Sequence, residues 1–213
     1  MDINKHIIDQ RITKIVAENP LWFQEIDQYN KSPEEAKRKK QSKAFLCLAV
    51  ATYLGIELTE AETLLTEGGN DAGIDAIYIG DFNDYDFPVT LFQSKYVFDL
   101  EKESNFPANS VQKVVGAIGA IFDPSKQVLM NDSLSPKVEE IRSLIADGYM
   151  PIIKVVFINN GLSWNQEGDN YIKGANYPKE QVQFEHFNHK DIVQSLQTNK
   201  NIDASIKFSG KSF

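Results

Sequence analysis

The sequence is short of most residues that build sites or anchors without a packed core. Its single cysteine, Cys47, excludes an internal disulfide framework and any cysteine-based zinc cluster. Histidine is scarce, with three in 213 residues. Two of them, His186 and His189, flank the end of an expected strand without a third metal ligand beside them. The opening Met1-Asp2-Ile3-Asn4-Lys5-His6 lacks the charged-then-apolar order of a secretory leader. The longest apolar stretch, Ala44 to Leu54, is interrupted and too short to cross a bilayer. No G-x-x-x-x-G-K-[ST] phosphate loop, internal repeat or low-complexity tract occurs. Positive charge is also in deficit: 22 Lys and Arg stand against 30 Asp and Glu, a net charge of −8. That balance excludes a protein whose whole surface grips nucleic acid, although a local basic patch can still do so. Together these absences predict a soluble, cytoplasmic protein without a membrane partner.

What is present suits a globular domain. Apolar residues make up 42% of the chain, with 12 glycines and 8 prolines, which is ordinary and sufficient for a core. Ile3, Ile7, Ile8, Ile12, Ile15 and Val16 recur at helical spacing, predicting an amphipathic helix over residues 2–18 that Asn19-Pro20 stops. Leu21-Trp22-Phe23 reads as an apolar anchor in a connecting segment. Ser32-Pro33-Glu34-Glu35 is a strong helix start, and that helix runs to Gly55. A shorter one opens at Thr59 and ends at Gly68-Gly69. Ile74 to Gly80 and Val89 to Phe98 are β-rich runs around a polar loop, the pattern of a hairpin. Ser110 to Phe122 and the run from Ser135 to Gly148 return to helical spacing. Pro151 to Asn159 is almost continuously apolar, as a central strand buried on both faces would be. Gly161 to Pro178 reads as polar loop, Gln181 to Phe187 as a further strand and Lys190 to Leu196 as a short helix. This order predicts an α/β fold, a mixed sheet flanked by helices.

The hairpin carries the chemistry. Residues two apart on a strand share a face, so Gln93 and Lys95 project together, an amide oxygen beside an ammonium group. Antiparallel pairing would bring Asp75 next to them. An aspartate, an amide oxygen and the backbone carbonyl of Ser94 are the hard oxygen ligands that Mg²⁺ or Mn²⁺ takes, and a lysine can neutralise charge on a phosphate. Asp71 is a further candidate ligand. Alone, each has a plainer role: Asp71 and Asp75 at a turn and a strand edge, Gln93 and Lys95 on an amphipathic strand.

Gly73-Ile74-Asp75-Ala76-Ile77 followed by Phe92-Gln93-Ser94-Lys95 resembles the core of PD-(D/E)xK nucleases, in the Gln-x-Lys variant of Mrr-like restriction endonucleases. The longer string from Gly68 to Ile79, continued through Tyr96, is similar to the N-terminal domain of AIPR (abortive infection, phage resistance) proteins. Motif content spans residues 44–122, and the general pattern reaches about residue 197. The resemblance implies a restriction-endonuclease-like core and Mg²⁺- or Mn²⁺-dependent hydrolysis of DNA in defence against phage, with RNA left open as substrate. It assigns Asp75, Gln93 and Lys95 as catalytic and puts the metal on Asp75, Gln93, the Ser94 carbonyl and, less centrally, Asp71. One departure stands out. Mrr-like enzymes carry a glutamate just after an aromatic on the preceding helix, whereas Leu46 follows Phe45 here. Glu35 or Glu67 would have to substitute, or the chain is a degenerate core that binds nucleic acid or acts as a scaffold.

The remaining candidates are less specific. Lys37, Arg38, Lys39, Lys40 and Lys43 form a basic run that could contact phosphates, or simply a solvated helix face. Gln112, with Lys113, lies on the helix after the second hairpin strand and could approach a phosphate. Cys47 and Tyr96 read as core residues. The expected organisation is a helical N-terminal extension over 1–31, a nuclease-like domain over 32–200, and a tail or the start of a following domain over 201–213. A homodimer and further domains of a longer parent chain are left open as partners.

Overall fold

The computed structural model describes residues 2–30, 32–126 and 129–202. Helix α1, Ile3–Glu18, begins where the Asp2 carboxylate accepts the Asn4 N–H at 2.9 Å. Its Ile8, Ile12 and Ile15 are buried, one face of the helix, each contributing roughly 1.5–3 kcal/mol on burial. After Asn19 the chain makes a 3₁₀ turn, Pro20–Phe23, and a short helix α2, Gln24–Tyr29. The connecting segment expected there is therefore largely helical. Phe23 is buried but α2 has no buried residue, so it lacks the apolar period that would reveal it.

Helix α3, Pro33–Leu54, forms as its sequence dictates. Ser32 Oγ accepts the Glu35 N–H, Pro33 occupies the first turn, and Gly55 closes the helix at φ +70°. Its second half is buried without a break from Ala44 to Thr52. Helix α4, Leu58–Thr63, follows. Strands β1, Ala76–Ile79, and β2, Asp86–Lys95, form the expected hairpin, with β2 starting three residues ahead of Val89. Helices α5, Ala108–Ile121, and α6, Ser135–Ala146, lead to β3, Met150–Asn159.

The polar segment 161–178 is the main correction. It contains helix α7, Gln166–Ala175, started by the Asn165 side chain, which accepts from Glu167 N and Gly168 N. Only Gly168 of this helix is buried, so its polarity mimics a loop. Strand β4, Val182–Phe187, and helix α8, His189–Ile202, complete the fold, α8 running further than the expected short helix. The expected tail lies outside the described residues from 203 onward.

The four strands make one mixed sheet in the order β1-β2-β3-β4. The β1–β2 pair is antiparallel, and β2–β3 and β3–β4 are parallel. Period-two alternation divides the side chains between two cores. Phe92, Val156 and Ile158 pack towards α1, α3 and α8. Leu91, Val155 and Phe157 pack towards α5 and α6. Strand β3 is thus covered on both faces along its second half, as its apolar run predicts. Helix α1 belongs to the first of these cores, so the expected N-terminal extension is built into the same layer as α3 and α8. Among the described residues, no helix is long and apolar enough to cross a membrane.

Candidate active site

The site lies where β1 begins and β2 ends. Ala76 pairs with Phe92, and continuing that register by one residue sets Asp75 opposite Gln93. Thr66 secures the approach to β1. Its N–H donates to the Asp75 carbonyl at 2.8 Å, and its hydroxyl to the Ile74 carbonyl at 2.8 Å. Asn70, Ala72 and Gly73 all have positive φ, a tight loop that turns the chain into the strand. At Gly73, φ is +82°, which favours glycine, and an added Cβ would also press on the flexible Lys113 stem at 3.0 Å.

Asp75 is buried and held on one side. Its Oδ2 accepts the Ser94 N–H at 2.7 Å and a Gln93 Nε2–H at 3.1 Å. Burial pushes its carboxyl above the usual aspartate value, against the pull of the Ser94 N–H, the Lys95 charge and the Gln93 amide. Gln93 is 3% exposed, and its Oε1 is buried with no hydrogen-bond partner. A buried acceptor left unmatched is uncommon and costs free energy, so it points to a missing partner. Lys95 is exposed at the end of β2, two residues on from Gln93, and makes no ion pair among the described residues.

Glu67, a stand-in candidate by sequence, has its carboxyl within electrostatic range of this site. It precedes the Gly68-Gly69 turn and interacts electrostatically with Asp75, Asp71, Lys43 and Lys95. Burial chiefly, and then the Asp75 charge, push its carboxyl up to about 7, while Lys43 and Lys95 pull the other way. An acid just ahead of a Gly-Gly turn was the only signal available, because no periodicity marks it. Leu46, where the resembling family has glutamate, is 1% exposed inside the α1–α3–α8 core and cannot reach the site. Glu35 is engaged with Lys39 at 3.0 Å.

Asp71 is partly committed elsewhere. Its Oδ1 accepts the Gly73 N–H at 2.7 Å and the Lys113 ammonium at 2.9 Å. That makes it a loop organiser tied to α5. Gln112, next to Lys113 on α5, is exposed and forms no hydrogen bond with the site among the described residues. His186 bonds Asn159 Oδ1 at 2.8 Å, and His189 bonds Asp2 at 2.9 Å, so both serve packing at the end of β4. Tyr96 turns to the opposite face, where its hydroxyl donates to Asp9 at 2.7 Å. Cys47 is buried, and its thiol is pushed up to about 12 by burial, an inert group at neutral pH.

The basic run divides around α3. Lys40 pairs with Asp27 at 2.6 Å, and with Lys37 it lines a separate groove next to α1. Arg38, Lys39 and Lys43 line a cleft of about 1060 Å³, with Trp22, Phe98 and Glu67 among its other walls. Glu67 is in its lining, whereas Asp75, Gln93 and Lys95 are not.

Among the described residues, no three His, Cys, Asp or Glu side chains are grouped to hold a metal. A Mg²⁺ site does not need three, since one or two carboxylates with waters and substrate phosphate suffice. The oxygens available for one here are those of Asp75 and the buried Gln93 amide, with the Glu67 carboxyl in electrostatic range. Comparison with protein-family models, curated proteins and solved structures finds no match to this chain.

Proposed function

We propose that this chain is a metal-dependent nuclease of the PD-(D/E)xK type, hydrolysing DNA phosphodiester bonds in defence against phage or foreign DNA. The observation that carries this reading is the buried Oε1 of Gln93, with no partner among the described residues, beside the Asp75 carboxylate on the strand that ends in the exposed Lys95. The antiparallel–parallel–parallel order of the sheet, with the site at a hairpin between helical layers, supports a restriction-endonuclease-like core.

A divalent cation would be held by Asp75, Gln93 Oε1, the Ser94 carbonyl and Glu67. When bound, it would neutralise phosphate oxygens and acidify water. The protein's own groups do the rest. The Ser94 and Gln93 donors fix Asp75 through Oδ2 and leave its other oxygen for the cation. Glu67 supplies the second negative charge that Leu46 cannot. Lys95, exposed and on the same strand face as Gln93, orients the attacking water and offsets charge building on the phosphate. Asp71 stays with Gly73 and Lys113, shaping the loop.

Supercoiled plasmid, single-stranded DNA and RNA incubated with Mg²⁺, Mn²⁺ or EDTA test the reading. Cleavage that needs metal supports it and identifies the substrate. A folded protein that cleaves none of them would favour a second reading, a catalytically degenerate core. The burial of Leu46 at the family's glutamate position is the observation on that side.

A further inference from the structure

The two outer edges of the sheet are finished differently. Along β1 the preceding loop completes the ladder: Thr66 N–H donates to the Asp75 carbonyl, Ile77 N–H to the Leu64 carbonyl, and Leu65 bridges Ala76. No such segment covers β4 among the described residues. Ile153 N–H donates to the Gln181 carbonyl at 2.7 Å, and main-chain groups alternate sides along a strand. Gln183, Glu185 and Phe187 therefore turn theirs towards β3, whereas Val182, Phe184 and His186 turn theirs outward. The Val182 N–H is taken by the Pro178 carbonyl at 2.9 Å. Those of Phe184 and His186 have no hydrogen-bond partner among the described residues.

An open edge is a template for another strand, and proteins guard it with lysine, proline or a covering segment. Strand β4, Val182-Gln183-Phe184-Glu185-His186-Phe187, contains neither lysine nor proline. A groove of about 670 Å³ runs beside it, lined by Trp164, Tyr177 and Phe184, by Lys179, and by Asp169 paired with Lys173 at 3.7 Å. Its aromatic walls leave room for a ring on that side of an added strand. On the other side of β4, Gln183 and Glu185 are exposed.

The strand is complementary to itself. Laid antiparallel on a second copy about a two-fold axis at Phe184, it sets Phe184 opposite Phe184 and Val182 opposite His186. Both open N–H groups then find a carbonyl, Phe184 that of Phe184 and His186 that of Val182 in the second copy. On the exposed side Gln183 meets Glu185 of the second copy, amide against carboxylate, and does so twice by symmetry. Glu185 can accept, because the Tyr53 hydroxyl at 2.8 Å occupies only its Oε2. Moving the axis to Glu185 would set like charges opposite each other.

We infer that β4 is the interface through which two copies of this chain join their sheets edge to edge. The candidate site, at β1 and β2, stays clear of this contact, so the inference stands apart from the nuclease reading.

Sedimentation velocity of the full chain from about 5 to about 200 µM tests it, the range in which small interfaces associate. A dimer should grow in with concentration, and the Phe184 and His186 amides should exchange hydrogen more slowly at the upper end than at the lower. Gln183→Lys should tighten the dimer by about fivefold and Gln183→Glu should loosen it by about fivefold, because each contact occurs twice. Gln112→Lys, the same change of charge on α5, should associate as the wild type does. All three positions of substitution are exposed, so circular dichroism should not change. A monomer at every concentration overturns the inference, including one whose Phe184 and His186 amides are already protected, which would mean that another segment caps the edge. So does a dimer in which those amides stay unprotected, or one that the Gln183 variants shift in the same direction, not at all, or no more than Gln112→Lys does.

Discussion

Replacing Glu67 with glutamine should stabilise the metal-free protein, and only at a pH where the unfolded chain's carboxylate is charged. In the fold this carboxyl is pushed up to about 7 from an ordinary 4.5. Its cost follows from linkage. Below the unfolded value the group is protonated in both states and costs nothing. As pH rises from 4.5 towards 7 the unfolded chain loses the proton while the folded one keeps it, so stability falls through that window and then levels off. At 1.36 kcal/mol for each tenfold change in proton affinity, the penalty is about 3 kcal/mol at about pH 8 and under about 1 kcal/mol at about pH 5. Glutamine keeps the shape and removes the charge. For a chain of this size, thermal melts in EDTA should show Glu67→Gln melting roughly 5–10 °C above wild type at the higher pH, and nearly level with it at the lower. Added Mg²⁺ or Mn²⁺ should raise the wild type's midpoint more than the variant's, since the variant lacks the charge the cation would answer. A variant less stable than wild type at the higher pH, or a gap that ignores pH, would refute the placement of Glu67 in an electronegative pocket.

Two further outcomes follow from the same geometry. Asp75→Asn should weaken Mn²⁺ binding by at least about tenfold in calorimetric titration, because such sites use only one or two carboxylates; an unchanged titration would reassign the residue. Leu46→Glu, which puts an acid where the resembling nucleases carry one, should cost about 3 kcal/mol or more in urea unfolding and add no metal affinity, because position 46 faces the core and away from the site; a stable variant with tighter metal binding would show that α3 can present an acid there.

Where packing wrote a period into the chain, the fold was legible from sequence. The isoleucines of α1, the Ser32-Pro33 start and Gly55 stop of α3, and the apolar run of β3 each specified an element that formed. Helices α2 and α7 escaped because their apolar residues are few and only partly buried, Ile26 in α2 and Tyr171, Ile172 and Ala175 in α7, and α7 is launched by a single asparagine cap within polar sequence. At the candidate site, strand alternation placed Gln93 and Lys95 on one face, and hairpin pairing placed Asp75 opposite Gln93. What alternation could not tell is which polar atoms would lack partners. The orphaned Gln93 oxygen, the capture of Asp71 by Lys113, and the arrival of Glu67 depend on loop geometry between residues 66 and 75. The basic run was visible as charge, but only packing shows that Lys40 is paired with Asp27 while Arg38 rests on Phe98.

The central claim turns on Lys95, the exposed cation beside the Asp75–Gln93 pair. Its most direct test is metal-dependent nucleic-acid cleavage by wild type and Lys95→Ala side by side, with matched circular dichroism and Mn²⁺ affinity. The variant should fold and still bind metal, and its cleavage rate should fall by about a hundredfold or more with loss of the transition-state cation. Undiminished cleavage by Lys95→Ala would contradict it.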